Sequence, residues 1–301
     1  MYRKIKLAMF TLFLCSCCSA EPVWQVVMSE SKTGRILTVS NLVLTVTLSE
    51  KVYWTIREIH SGGTLMVGAY GANGAVANVK PAARPPDNKD SFMGTGHGFE
   101  TISSYKIALD GRDVDLKPGD GLGARVVTLT KASKIGPLDQ IAVIEFPASG
   151  DRLIERTRFT ANCTLADNLN FVYAYMHCND NALTDWLAWL DADKTLEGRC
   201  VSDDRSHGLQ REVRAVALFG PEIGKGLVYA YPEVYAGGAK GNFFWDRVRD
   251  NKLYFRPRIP GVINLAGDTV LYELTVMPFA ATTADWREQA KKCLTALQEK
   301  H

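Results

Sequence analysis

Apolar and polar side chains alternate through residues 42–48. Leu42, Leu44, Val46 and Leu48 fall on one face and Thr45 and Thr47 on the other, the period of two expected of a strand with one buried side. The same logic runs through 270–277, with Val270, Tyr272, Leu274 and Val276 inward and Glu273 and Thr275 outward. Further strands are expected at 52–60, 103–110, 125–130, 140–146, 153–160, 170–177, 213–219, 226–231 and 252–258. Asp110-Gly111, Ser149-Gly150-Asp151 and Gly237-Gly238 punctuate them as hairpin turns and short loops. Many short strands without alternating helices predict a mainly β chain, a large antiparallel β-sandwich rather than a βαβ fold.

Two stretches depart from this rhythm. Residues 68–98 are rich in Gly, Ala, Asn and Pro and show no periodic apolar face, so they read as a long loop, a class that often carries function. At the other end, Trp286, Ala290, Cys293, Leu294 and Leu297 follow helical spacing, with Thr283 or Asp285 as N-cap. One amphipathic C-terminal helix is expected over 283–300, packed on a single sandwich domain spanning 21–301.

The first residues have the order of an export signal. Arg3, Lys4 and Lys6 precede an apolar run at 7–14, and Ser19-Ala20 supplies the small residues of a cleavage site before Glu21-Pro22. A signal peptide at 1–20 places the mature chain outside the cytoplasm: periplasmic, secreted or held at the envelope. Leu14-Cys15-Ser16-Cys17 also resembles a bacterial lipobox, which would make Cys17 a lipid anchor. Both routes stand, and no later segment is apolar for the ~18–20 residues a transmembrane helix needs.

The 301 residues are 46% hydrophobic and 23% charged, enough for a large core. A net charge of +2 with no Lys/Arg cluster argues against nucleic-acid partners. Beyond the signal, Cys163, Cys178, Cys200 and Cys293 allow either disulfide pairing or simple burial.

Candidate chemistry begins where the long loop ends, at Phe92-Met93-Gly94-Thr95-Gly96-His97-Gly98-Phe99-Glu100. Flanking glycines leave His97 accessible, and Glu100, three residues on, is placed to orient it or share its proton work. A second group lies at Tyr173-Ala174-Tyr175-Met176-His177-Cys178-Asn179. Alternation puts Tyr173, Tyr175 and His177 on one face, an aromatic wall ending in a titratable group, with Asn179 just beyond. Aromatic faces suit the C–H surface of a pyranose, and adjacent polar groups suit its hydroxyls. Tyr235, Trp245 and Arg247 extend this set around a Gly-rich turn, the guanidinium being suited to a carboxylate. A metal site from His97, Glu100 and His177 would draw on separated segments without a recognised spacing, so no metal or cofactor is expected. GxSxG, Walker and strand-linked GxGxxG motifs are absent, removing α/β-hydrolase, nucleotide and dinucleotide chemistry.

The segment Phe92 to Glu100 leading into Tyr105 and Asp110-Gly111, together with the ending Tyr272 to Phe279, resembles the supersandwich proteins grouped with galactose mutarotase, which include sugar epimerases and polysaccharide lyases. The mutarotase segment with an Asn-His pair before an aromatic run has no counterpart. The resemblance therefore implies fold and substrate class and leaves catalytic residues unassigned. Three functions follow as expectations. The first is an enzyme acting on a sugar or uronic-acid polymer through His97, His177 and Glu100. The others are a noncatalytic carbohydrate-binding protein and a structural envelope lipoprotein.

Overall fold

A computed structural model describes residues 23–68, 73–190, 194–200, 213–231, 243–247, 250–256 and 259–298, with the backbone alone for 243–247, 250 and 298. The first strands are β1 (Trp24–Ser31), β2 (Gly34–Ser40), β3 (Leu44–Ser49), β4 (Thr55–Ser61) and β5 (Thr64–Val67). They are followed by β6 (Val76–Val79), β7 (Phe92–Gly94), β8 (Glu100–Leu109), β9 (Arg112–Val114) and β10 (Gly121–Ala124). The middle of the chain holds β11 (Val127–Ile135), β12 (Leu138–Phe146), β13 (Leu153–Ala161), the short helix α1 (Leu165–Asn168), β14 (Leu169–Tyr173) and β15 (Tyr175–Cys178). Then come β16 (Asp185–Trp189), β17 (Thr195–Arg199), β18 (Ala215–Gly220), β19 (Lys225–Ala230), β20 (Phe243–Arg247), β21 (Asp250–Phe255), β22 (Thr269–Ala280) and α2 (Trp286–Gln298).

A six-stranded sheet runs β10-β1-β2-β3-β4-β5, and a ten-stranded sheet runs β17-β16-β18-β19-β22-β13-β12-β11-β8-β9. Two small sheets run β14-β6-β7 and β15-β21-β20, and every strand pairing among the described residues is antiparallel. The expected mainly β antiparallel sandwich is what forms. Its main core lies between the two large sheets, where Trp24, Val26, Leu37 and Val46 of one meet Leu129, Phe146, Phe159 and Leu274 of the other.

The predicted alternations map onto this core with local shifts. Leu44, Val46 and Leu48 are buried as expected, but Leu42 is 98% exposed. It sits outside β3 in a turn closed by Asn41, whose Oδ1 accepts from the amides of Val43 and Leu44, an Asx turn that takes the chain out of strand phase. In β22, Tyr272, Leu274 and Val276 face the core. Glu273, on the opposite face, accepts from Arg156, whose guanidinium also reaches Glu145 at 2.7 Å.

Residues 68–98 hold more structure than a loop. β6 and β7 lie within them, and Val76, Ala77, Asn78 and Val79 are all buried. A strand buried on both faces has no polar phase, which is why its sequence shows no period. The tail behaves as its spacing predicts. Trp286, Ala290, Leu294 and Leu297 pack on the outer face of the ten-stranded sheet against Phe219, Val228 and Phe279. Asp285 precedes the helix and accepts from the Thr282 hydroxyl and amide at 2.6 and 2.7 Å. Those hydrogen bonds hold its carboxyl below the usual range. Among the described residues no helix is long and apolar enough to cross a membrane. Cys163 and Cys293 are half-buried thiols, and Cys178 and Cys200 are buried.

Candidate functional site

The turn carrying His97 depends on glycine. Gly94 has φ +104°, and a Cβ there would stand 2.5 Å from the carbonyl oxygen of Ala75. Its amide donates to Gly98 O at 2.8 Å, closing the loop. The imidazole of His97 stacks on Phe92 with ring centroids 5.1 Å apart, and Nδ1 lies 3.7 Å from Asp90 Oδ2. Burial holds its pKa below the ordinary value although Asp90 pulls the other way. The ring is therefore neutral near pH 7, which suits stacking on an apolar face.

Glu100 is not the partner of His97. Phe99 turns the chain at φ +60°, and Glu100 opens β8 pointing into the core. There Oε1 accepts from Lys131 Nζ at 2.7 Å, with both side chains at most 1% exposed. Lys131 Nζ also donates to Tyr53 O at 2.9 Å, and Thr95 Oγ1 reaches Glu100 Oε2 at 3.4 Å. Desolvation pushes the ammonium pKa down while Glu100 opposes it. A cavity of about 20 Å³ beside Lys131, Gln140, Glu155 and Thr157 has room for about one water.

The aromatic wall expected on one strand is divided between two faces. β14 pairs with β6 and ends at Tyr173, whereas β15 pairs with β21 and begins at Tyr175. Ala174 joins them, its amide donating to Phe255 O. Changing sheets there shifts the phase, so Tyr173 faces outward with Met176, Cys178 and Tyr254. Tyr175 and His177 face inward. Tyr175 Oη lies 2.8 Å from the carbonyl oxygens of Glu155 and Tyr272, and burial drives its phenol pKa well up. It therefore ties β15 to the ten-stranded sheet as a neutral hydroxyl.

His177 Nε2 stands 3.3 Å from Glu155 Oε2, side chains 1% and 8% exposed. The ring meets Tyr229 edge-on at 5.2 Å, and Tyr229 donates its hydroxyl to Asn179 Oδ1. Burial raises the phenol pKa values of Tyr229 and Tyr231, so both stay protonated. His177 Nδ1, Asn179 Nδ2 and Tyr231 Oη are buried without a hydrogen-bond partner among the described residues. Each such orphan costs about 1–3 kcal/mol, a cost that several polar groups share at one end of the inner face. A carboxylate oxygen only accepts, so the hydrogen bond to Glu155 uses a hydrogen on Nε2, and a neutral ring then has its lone pair at Nδ1.

The three expected catalytic residues thus have three different settings. His97 stands with Phe92 and Asp90, His177 with Glu155, and Glu100 with Lys131, while Lys131 and Glu155 line the same small cavity. Asn179 does lie with His177. Tyr235 falls outside the described residues, as do the side chains of Trp245 and Arg247; the backbone of Trp245 is paired with Lys252 in register. Among the described residues no cluster of three or more His, Cys, Asp or Glu side chains is arranged to hold a metal ion. Sequence reading passed over Glu155 and Lys131, and did not place Tyr229 and Tyr231 at the site. The signal was present for the first two, since each is a charge in the inward phase of an otherwise core-facing strand: Leu153-Glu155-Thr157-Phe159 and Val127-Leu129-Lys131-Ser133.

The chain matches no protein-family model and no curated protein sequence. Solved structures do match. The galactosidase domain of the alpha-galactosidase–sucrose kinase AgaSK is 11% identical with a TM-score of 0.50, the match covering 87% of this chain and 43% of that one. A TPR-domain containing protein from Parabacteroides distasonis is 10% identical at a TM-score of 0.52, covering 81% and 47%. The chain spans less than half the length of these two. A galactose mutarotase-like protein from Lactobacillus casei is 10% identical at 0.49, covering 81% and 100%. The likeness is one of fold alone.

Proposed function

We propose that the chain is an exported carbohydrate-active protein that acts on a sugar or uronic-acid polymer by acid/base chemistry, with His177 and Glu155 as its reacting pair. The observation that carries this reading is the buried imidazole–carboxylate contact beside three polar atoms without partners. Glu155 fixes the tautomer and stabilises the ring when it takes up a proton at Nδ1. Asn179 Nδ2 is a donor for a sugar oxygen or a uronate carboxylate, and Tyr231 Oη can donate or accept. In a β-elimination, Nδ1 would take the proton α to the carboxylate, that electron pair would form the new double bond, and the glycosidic C–O bond would break with the leaving oxygen taking the proton back from Nδ1, which returns the ring to its starting state. The pair is covered in this structure, so a sugar reaches it only after neighbouring side chains move aside. The galactosidase domain that shares the fold supports a sugar as the class of ligand.

A panel of neutral and uronate-containing oligosaccharides tests the reading by polarimetry for anomer exchange and by ultraviolet absorbance for unsaturated products. Turnover of one member, lost in Tyr231→Phe or Asn179→Ala, is the expected result. No turnover and no binding across the panel would overturn it.

Export is part of the same proposal and rests on the order of charge, apolar run and small residues at 1–20. Intact mass of the protein from its native host should correspond to loss of residues 1–20, or to a chain starting at a diacylglyceryl-modified Cys17. A mature form retaining Met1 would refute export by this signal.

A further inference from the structure

Register gathers polar side chains around one small residue on the inner face of the ten-stranded sheet. Ala142 of β12 lies opposite Lys131 of β11 on one side and Thr157 of β13 on the other. Two residues along the same face, Ser133, Gln140 and Phe159 are in register, and two residues the other way Leu129, Ile144 and Glu155 are. Ala142 lines the cavity of about 20 Å³ together with Lys131, Gln140, Glu155 and Thr157. The cavity therefore lies between the Glu100–Lys131 ion pair and the His177–Glu155 pair.

The hydrogen-bonding capacity of its lining is not used up. Lys131 Nζ has three hydrogens and donates two, to Glu100 Oε1 at 2.7 Å and to Tyr53 O at 2.9 Å. Gln140 Oε1 is buried without a hydrogen-bond partner among the described residues. Glu155 meets His177 through Oε2, and an ionised carboxylate has acceptor sites beyond one such bond. Burial pulls the Lys131 ammonium pKa down, while Glu100 and, after it, Glu155 oppose that shift, so both carboxylates lie in reach of its charge.

We propose that one water held between Lys131, Gln140 and Glu155 makes Lys131 and Gln140 positioning residues for the His177–Glu155 pair, a role that rests on the acid/base reading of that pair. The water accepts from Lys131 and donates one hydrogen to Glu155 and the other to the Gln140 amide. Those are the roughly three hydrogen bonds a buried water makes, in a polar space large enough for one. A carboxylate bonded to His177 on one side and to this water on the other has its plane fixed. The imidazole is fixed with it, and so is the direction in which Nδ1 presents its lone pair.

Ala142 provides the test, because it lines the cavity and bears no polar group. Ala142→Val fills the space with methyl groups and expels the water, whereas Ala142→Ser brings in a hydroxyl that can stand for it. The proton on His177 Nε2, hydrogen-bonded to a buried carboxylate, gives a downfield NMR signal that reads the pair without substrate. That signal should keep its position in Ala142→Ser, and move upfield or be lost in Ala142→Val and in Gln140→Leu. On a glycan that wild type turns over, Ala142→Val and Gln140→Leu should lose kcat by about tenfold or more with KM unchanged, the factor expected for one hydrogen bond to a charged group. Ala142→Ser should keep the wild-type kcat. A crystal structure of wild type should show the water bonded to Lys131 and Glu155. A cavity without water in that crystal structure, or an unmoved signal in both Ala142→Val and Gln140→Leu, would overturn the proposal and leave the pair itself standing. Loss of the signal in Ala142→Ser as well would overturn it too, because any added volume at residue 142 would then suffice. No turnover across the glycan panel, with the signal moving as expected, would overturn the acid/base reading and keep the water's hold on the pair.

Discussion

Lys131→Met should destabilise the protein by about 3–5 kcal/mol, the usual cost of removing one member of a buried ion pair. Methionine fills the volume of the lysine stem, so little of the loss comes from a cavity. What remains is Glu100, its side chain fully buried, deprived of the ammonium at 2.7 Å. The same ammonium holds the carbonyl of Tyr53 at 2.9 Å, and Tyr53 and Trp54 are consecutive non-glycine residues at φ +61° and +55°. Left-handed backbone at such residues persists when surrounding structure holds it. Loss of Lys131 therefore loosens that turn and, through Thr95 on Glu100, the His97 turn as well. Urea unfolding would read the effect as a lower midpoint at an unchanged slope. The double variant Lys131→Met with Glu100→Leu should regain most of the loss, because a buried pair replaced as a whole by apolar groups is often neutral. A single variant within about 1 kcal/mol of wild type would show that the pair is not buried as described.

The sandwich was legible because its longest strands have one face in the core and the other in water. β3, β12 and β13 carry that alternation plainly, and β22 carries it in sequence although Glu273 and Thr275 are buried as well. Strands buried on both sides, such as β6 and β15, carry no such mark, and the stretch around β6 consequently read as loop. The C-terminal helix was legible for the converse reason: it has one apolar stripe, at Trp286, Ala290, Leu294 and Leu297, and docks by it alone.

The site was less legible, and the reason is geometric. Alternation assumes one continuous strand, and the change of sheet at Ala174 breaks that assumption between Tyr173 and Tyr175. Nearness in sequence misled in the same way for His97 and Glu100, because the left-handed turn at Phe99 sends the two side chains to different places. The true partners, Asp90 for His97, Lys131 for Glu100 and Glu155 for His177, come from other strands or loops. Pairings across a sheet are set by register, which a single sequence does not display. A charged residue in the inward phase of a strand, as at Lys131 and Glu155, was the available clue.

The largest functional effect is expected at Glu155. In Glu155→Gln the side chain keeps its shape, yet its amide can turn its NH₂ toward His177 Nε2 where the carboxylate had only acceptors. The ring proton then moves to Nδ1, the atom that must accept a proton from the substrate. Stabilisation of the charged ring is lost with the carboxylate. Both changes act on the proton-transfer step, so kcat should fall by about 10²–10⁴-fold with KM little changed. The melting temperature should stay close to that of wild type, because Gln can still hydrogen-bond the imidazole. Glu155→Asp should recover part of kcat, since it restores the acceptor at a longer reach. His177→Ala should lose turnover to a similar extent, and the double variant should lose no more than either single, as expected of two residues that act as one unit. By contrast, Glu100→Gln should show its effect in the melting temperature, because its partner is Lys131 and not a reacting group. Wild-type kcat in Glu155→Gln, on any glycan the protein turns over, would remove the pair from the mechanism.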